Sequence, residues 1–197
     1  MELKVVHQPT YSRNQLLLRS IFGFFYIVIP HVFVLLFVEI ALLYHYLYVT
    51  FFILIKGYYP EKSHSFIENF FHWGARLHNR VYHLNDGYPS FGLHQRDEYV
   101  FLNFPLPEKV DRKLTLLRFL FGPIFIFLPH IFVIVIRVLA CFILALPAYV
   151  SVLLNQKYPK SLFEFQVDTL RYIIRVYVYF FHLSPDYPPF HGKEEAA

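Results

Sequence analysis

Long apolar runs alternate with segments in which charged and polar residues recur at helical spacing, and the whole pattern occurs twice. Residues 31–55 and 130–154 are apolar over a length that makes rods of about 37 Å, enough to cross a hydrocarbon core of about 30 Å with tilt. Upstream of each, residues 16–29 and 115–128 are apolar but too short to cross alone. They are predicted to be interfacial or re-entrant helices that turn down at Pro30 and Pro129.

After Tyr59-Pro60 and Tyr158-Pro159 the pattern changes. Glu164, Asp168, Arg171, Arg175 and His182 fall on one narrow stripe of a helix, and the remaining positions are mostly Leu, Phe, Val, Tyr and Ile. Ser65, Asn69, His72, Arg76, Asn79 and His83 occupy the same face in the first half. Each half is thus predicted to carry an amphipathic helix. It either lies flat with its stripe to water or crosses with its stripe towards a partner or cavity.

A shift of 99 positions overlays the halves without a gap. Arg19, Gly23, Pro30-His31, Tyr59-Pro60, Phe66, Arg76, His83-Leu84, Tyr88-Pro89 and Phe91 fall on Arg118, Gly122, Pro129-His130, Tyr158-Pro159, Phe165, Arg175, His182-Leu183, Tyr187-Pro188 and Phe190. These shared positions are turns, charges and aromatics, which apolar composition alone does not produce. The expected fold is an all-α integral membrane protein of two tandem repeats, each a short interfacial helix, a transmembrane helix and an amphipathic helix. Residues 1–15 form an N-terminal tail, 16–91 repeat one, 92–113 a solvent-exposed linker, 114–190 repeat two and 191–197 a C-terminal tail. A short extended piece is expected near residues 98–104.

Composition supports this reading. With 56% hydrophobic and 16% charged residues, the chain has too little polar surface for a soluble globule. Its net charge of +4 is scattered, so no basic run points to nucleic acid. The single cysteine, Cys141, precludes an intramolecular disulfide. Lys4, Arg13 and Arg19 precede an apolar run with no small-residue cleavage site, which reads as retained membrane sequence.

Candidate chemistry is sparse. Glu39 and Arg137 are the only charges inside the two main spans and are one position apart in repeat register. In parallel copies they would pair, which spares each the cost of an unpartnered charge in the bilayer. His31 and His130 each follow a proline and form the kind of imidazole pair that ligates a haem or chlorin; alternatively each satisfies the carbonyl that its proline leaves without a donor, on Tyr26 or Phe125. His64, Glu68 and His72 share one helix face, but the second half does not repeat the set. Arg76 and Arg175 put one charge at one place in two apolar helices, suited to a lipid phosphate or to an acidic group on a neighbour. Glu164, Asp168, Arg171, His83 and His182 complete this expected lipid- or partner-contacting set. No Gly-rich phosphate loop, nucleophile elbow or helical His-Glu-x-x-His motif occurs. Neither enzymatic activity nor a bound cofactor or metal is therefore expected.

The order of Pro129-His130, Lys157-Tyr158-Pro159, Leu162-Phe163-Glu164-Phe165, Arg171, Arg175 and Asp186-Tyr187-Pro188-Pro189-Phe190 resembles a prokaryotic membrane family catalogued as domain of unknown function 4389. The first half departs from it, with Gly57-Tyr58-Tyr59-Pro60, Ser63-His64-Ser65-Phe66 and Tyr88-Pro89-Ser90-Phe91. The resemblance implies a multi-pass protein of the prokaryotic cytoplasmic membrane and carries no activity or catalytic residue. The role expected is that of a non-catalytic scaffold or accessory subunit, in contact with membrane lipids and other integral membrane subunits. A lipid-handling protein using the two polar faces is the alternative, and a haem- or pigment-binding subunit the third.

Overall fold

A computed structural model describes residues 1–193; the end of the C-terminal tail, 194–197, lies outside the described residues. The element order is β1 (Glu2–Val5), α1 (Arg13–Lys56), α2 (Glu61–Val81), β2 (Val100–Asn103), α3 (Arg112–Asn155) and α4 (Lys160–Phe180). The fold is mostly helical. α1 and α3, of 44 residues each, are long and apolar enough to cross a membrane by length and composition.

The short upstream helices are not separate elements. Arg13–Gly23 runs through a π-helical turn, Phe24–Val28, into Ile29–Lys56, and Arg112–Gly122 runs through Pro123–Phe127 into Leu128–Asn155. A proline lacks the N–H that would bond the carbonyl four residues back. The wider π turn absorbs that defect just ahead of Pro30 and Pro129, so the helix continues instead of breaking.

Local chemistry sets the ends. The Ser12 hydroxyl accepts from the Gln15 N–H at the start of α1, and the Asp111 carboxylate accepts from the Lys113 and Leu114 N–H groups at the start of α3. Gly57 and Gln156 stop these helices in the left-handed region, at φ 84° and 57°. α2 and α4 begin after Pro60 and Pro159 and end with His83 and His182 at φ 56° and 64°. Just beyond, the Leu84 and Leu183 N–H groups close back on the Asn79 and Val178 carbonyls.

The long helices run antiparallel and meet at their ends. Arg13 donates to the Leu154 carbonyl at one end and Arg112 to the Ile55 carbonyl at the other. These contacts are reciprocal under the 99-residue shift. So are those that His83 makes with the Tyr149 ring and His182 with the Thr50 hydroxyl. Each half thus meets the other through positions that exchange under this shift.

Each amphipathic helix returns beneath its own long helix. His45 meets Ser63, Trp73 meets His31, and Arg19 reaches the Arg80 carbonyl. From Arg19 to His45 α1 runs about 39 Å, whereas from Ser63 to Arg80 α2 covers about 26 Å. The contacts thus span a longer stretch of the long helix than of its partner. The second half repeats this, with about 35 Å of α3 between Arg118 and Cys141 over about 20 Å of α4 between Gln166 and Tyr179.

Beneath the amphipathic helices lies a two-stranded antiparallel ribbon in which Leu3 faces Leu102 and Val5 faces Val100. The expected N-terminal tail is thus strand and helix start, and the expected linker contributes β2, which lies inside the extended piece expected at residues 98–104. Leu3, Val100, Leu102 and Phe104 pack with Ile67, Phe71, Leu170 and Ile174 into one core between ribbon and helices. Sequence patterning could not join segments that are local in space but almost a hundred residues apart.

Candidate functional site

The polar stripes face the chain itself. Wholly buried Arg76 donates to the carbonyls of Gly92, at 2.6 Å, and Gln95. Arg175 donates to the His191 carbonyl at 3.4 Å, and His191 is the repeat counterpart of Gly92. Each of these arginines thus holds the segment that follows its own helix. Arg171 bonds Asp168 at 2.5 Å and reaches the Gly192 and Leu3 carbonyls, tying α4 to β1 and to the C-terminal segment. The stripes were expected to meet water, lipid headgroups or a partner. Guanidinium donors and loop carbonyls satisfy one another instead, which lets both be buried. Ser65 and Glu164 are exceptions, both exposed, and Glu164 pairs with exposed Lys160.

The clamped segments carry the Tyr-Pro repeats back to the defects in the long helices. The Tyr88 hydroxyl donates to the Tyr26 carbonyl and the Tyr187 hydroxyl to the Phe125 carbonyl, both at 3.1 Å. These are the carbonyls that Pro30 and Pro129 deprive of a helical donor. Tyrosine, not histidine, is thus the donor. His31 Nδ1 accepts from the Trp73 indole at 2.8 Å, and His130 Nδ1 bonds the Tyr172 hydroxyl at 2.5 Å. Both imidazoles are wholly buried, His31 against Trp73, Tyr88 and Phe91, His130 against Tyr172, Tyr187 and Phe190.

Arg19 and Arg118 form a further duplicated device, whose repetition is legible in the sequence though its role is not. Arg19 donates to the Arg80 and Asn85 carbonyls and pairs with Asp86 at 3.2 Å. Arg118 donates to the Tyr179 and Pro185 carbonyls and lies over the Tyr179 ring. Each places a cation at the C-terminal end of an amphipathic helix, where the helix dipole is negative. Burial, with Arg19 and Arg118 nearby, pushes the His83 and His182 imidazoles down to about 3. Burial and Arg76 push His72 down to about 4.

Glu39 and Arg137 do not pair among the described residues. Arg137 lies over the Phe165 and Tyr172 rings, and Glu39 is exposed. The reason is topological, since antiparallel helices separate positions that parallel copies would have put at one depth. His64 and Glu68 hold the backbone of Phe104, and among the described residues no cluster of three acidic, His or Cys side chains has the geometry to hold a metal ion.

What the molecule presents outward is the other side of the long helices. In α1 the exposed set includes Leu18, Phe25, Phe33, Ile40 and Ile55; in α3 it includes Leu117, Phe125, Phe132, Ile136, Ile143 and Leu154. In the most apolar stretch of each, only 17% of residues are buried. The core helix of a soluble protein would be mostly covered.

Residues 112–191 match the family model described as Domain of unknown function (DUF4389). The DUF4389 match takes in α3, α4 and the second Tyr-Pro segment, one copy in length. No curated protein and no solved structure matches the chain.

Proposed function

We propose that the chain is a non-catalytic membrane protein, a scaffold or accessory subunit, built by tandem duplication of a DUF4389-type unit. The outward apolar face of α1 and α3 carries this reading, because a surface of Phe, Leu and Ile that runs the length of two 44-residue helices needs lipid or apolar protein against it. The contacts that exchange under the 99-residue shift support the duplication and a pseudo-twofold relation between the halves. The prokaryotic cytoplasmic membrane is proposed on the family resemblance alone. The buried His31 and His130 sit in separate aromatic pockets, so the geometry does not favour a shared haem. Carbonate washing of membranes followed by extraction in mild detergent tests the proposal. Retention in the washed membrane and co-purification of a stoichiometric membrane partner are expected; a protein released by carbonate, or one recovered alone, overturns it.

A second reading is a lipid-handling protein. An open groove of about 720 Å³ beside the end of α1 is lined by Tyr44, Tyr48, Phe52, Tyr58 and Lys62 and continues onto the apolar face. Phospholipid retained at fixed stoichiometry, and lost in Tyr48→Ala, would favour it.

A further inference from the structure

The polarity of the molecule is divided across its thickness rather than along its length. One face, formed by α1 and α3, is apolar nearly from end to end, with Glu39 an exposed charge within it. The opposite face is charged at mid-length: Glu2, Lys4, Glu68 and Arg96 gather around the middle of α2, and Lys4, Asp168, Arg171 and Lys193 around the middle of α4. Were the helices to cross a bilayer, these central charges would lie at its midplane, the costliest depth for a charge. α1 and α3 are also each about 66 Å long, roughly twice the hydrocarbon thickness. Basic residues flank the apolar face at both ends, Arg13 and Lys157 at one and Lys56, Arg112 and Lys113 at the other, where phosphate headgroups would meet them.

Building on the membrane reading above, we propose that the chain sits in one leaflet of an anionic phospholipid bilayer, entered from one side. The long helices lie in the membrane plane, and the ribbon, the loops and both ends of every helix remain in the same aqueous compartment. This replaces the multi-pass arrangement expected from apolar length alone, since length counts residues and takes no account of which face is covered.

Single cysteines test the proposal in sealed vesicles from expressing cells: Lys56→Cys and Lys157→Cys at opposite ends of the long helices, and Lys4→Cys midway on the ribbon. All three positions are exposed, and native Cys141 is buried. A membrane-impermeant maleimide should modify all three from the same side, to similar extents, either before or only after permeabilisation. Modification of Lys56→Cys and Lys157→Cys from opposite sides, or a Lys4→Cys that resists labelling until the protein is dissolved, overturns one-sided insertion while leaving the membrane reading intact. Release of the parent protein by carbonate overturns both.

Discussion

The two left-handed histidines should make the fold acid-labile in a calculable way. His83 and His182 end the amphipathic helices and are buried in contacts with the opposite half, against Tyr149 and Thr50. Burial holds each imidazole at about 3, against an ordinary value of 6.5. Above pH 6.5 both states are neutral at these positions and nothing is lost. As pH falls through the interval from 6.5 to 3, the unfolded chain takes up protons that the folded one refuses, so stability falls. Between about pH 7.5 and about 5.5 each histidine should cost about 1.4 kcal/mol, and the pair about 3 kcal/mol. Denaturant titration in mild detergent across that range would measure the slope. Asn tolerates the left-handed region without titrating, so a His83→Asn/His182→Asn variant should lose about 3 kcal/mol of that pH dependence whatever its stability at neutral pH. An unchanged slope in the double variant would refute the account of these two side chains.

Arg76→Gln should cost about 2 to 4 kcal/mol in the same titration, since it removes charged donors from two carbonyls. Tyr88→Phe and Tyr187→Phe should each lose about 1 kcal/mol, with faster amide exchange in the π turns, by leaving the Tyr26 or Phe125 carbonyl without its donor. Gln156→Gly should stabilise by about 0.5 to 1 kcal/mol, because a side chain is held at φ 57° where Gly57 serves in the other half. Gly57→Ala should do the reverse, and its Cβ would also meet the Arg112 guanidinium.

Much was legible in the sequence by itself. The apolar runs, the amphipathic stripes and the turn residues place helical segments where helices occur, although the two short upstream helices expected as separate elements merge into α1 and α3, because helical periodicity and proline or glycine punctuation are local properties of a chain. The 99-residue register also singles out positions whose side chains make similar contacts in the two halves: Arg19 and Arg118 with carbonyls near the ends of α2 and α4, and Arg76 and Arg175 with carbonyls of the segments that follow those helices. Even the orphaned carbonyls on Tyr26 and Phe125 follow from proline chemistry alone.

Tertiary structure decided what each of these groups meets. Pro30 and Pro129 read as helix ends, yet α1 and α3 run on through π turns, and Tyr88 and Tyr187 arrive from about sixty residues away to supply the donor that the Tyr26 and Phe125 carbonyls lack. The arginine stripes read as surfaces awaiting a partner, yet their acceptors are backbone carbonyls, which every residue carries and no sequence pattern marks. Glu39 and Arg137 read as a pair only if the copies are parallel, and the direction in which one copy docks on the other is a property of packed surfaces. The ribbon between Glu2–Val5 and Val100–Asn103 is the same kind of case: four residues of weak alternation become a strand only when another strand, folded in beside them, supplies the hydrogen bonds.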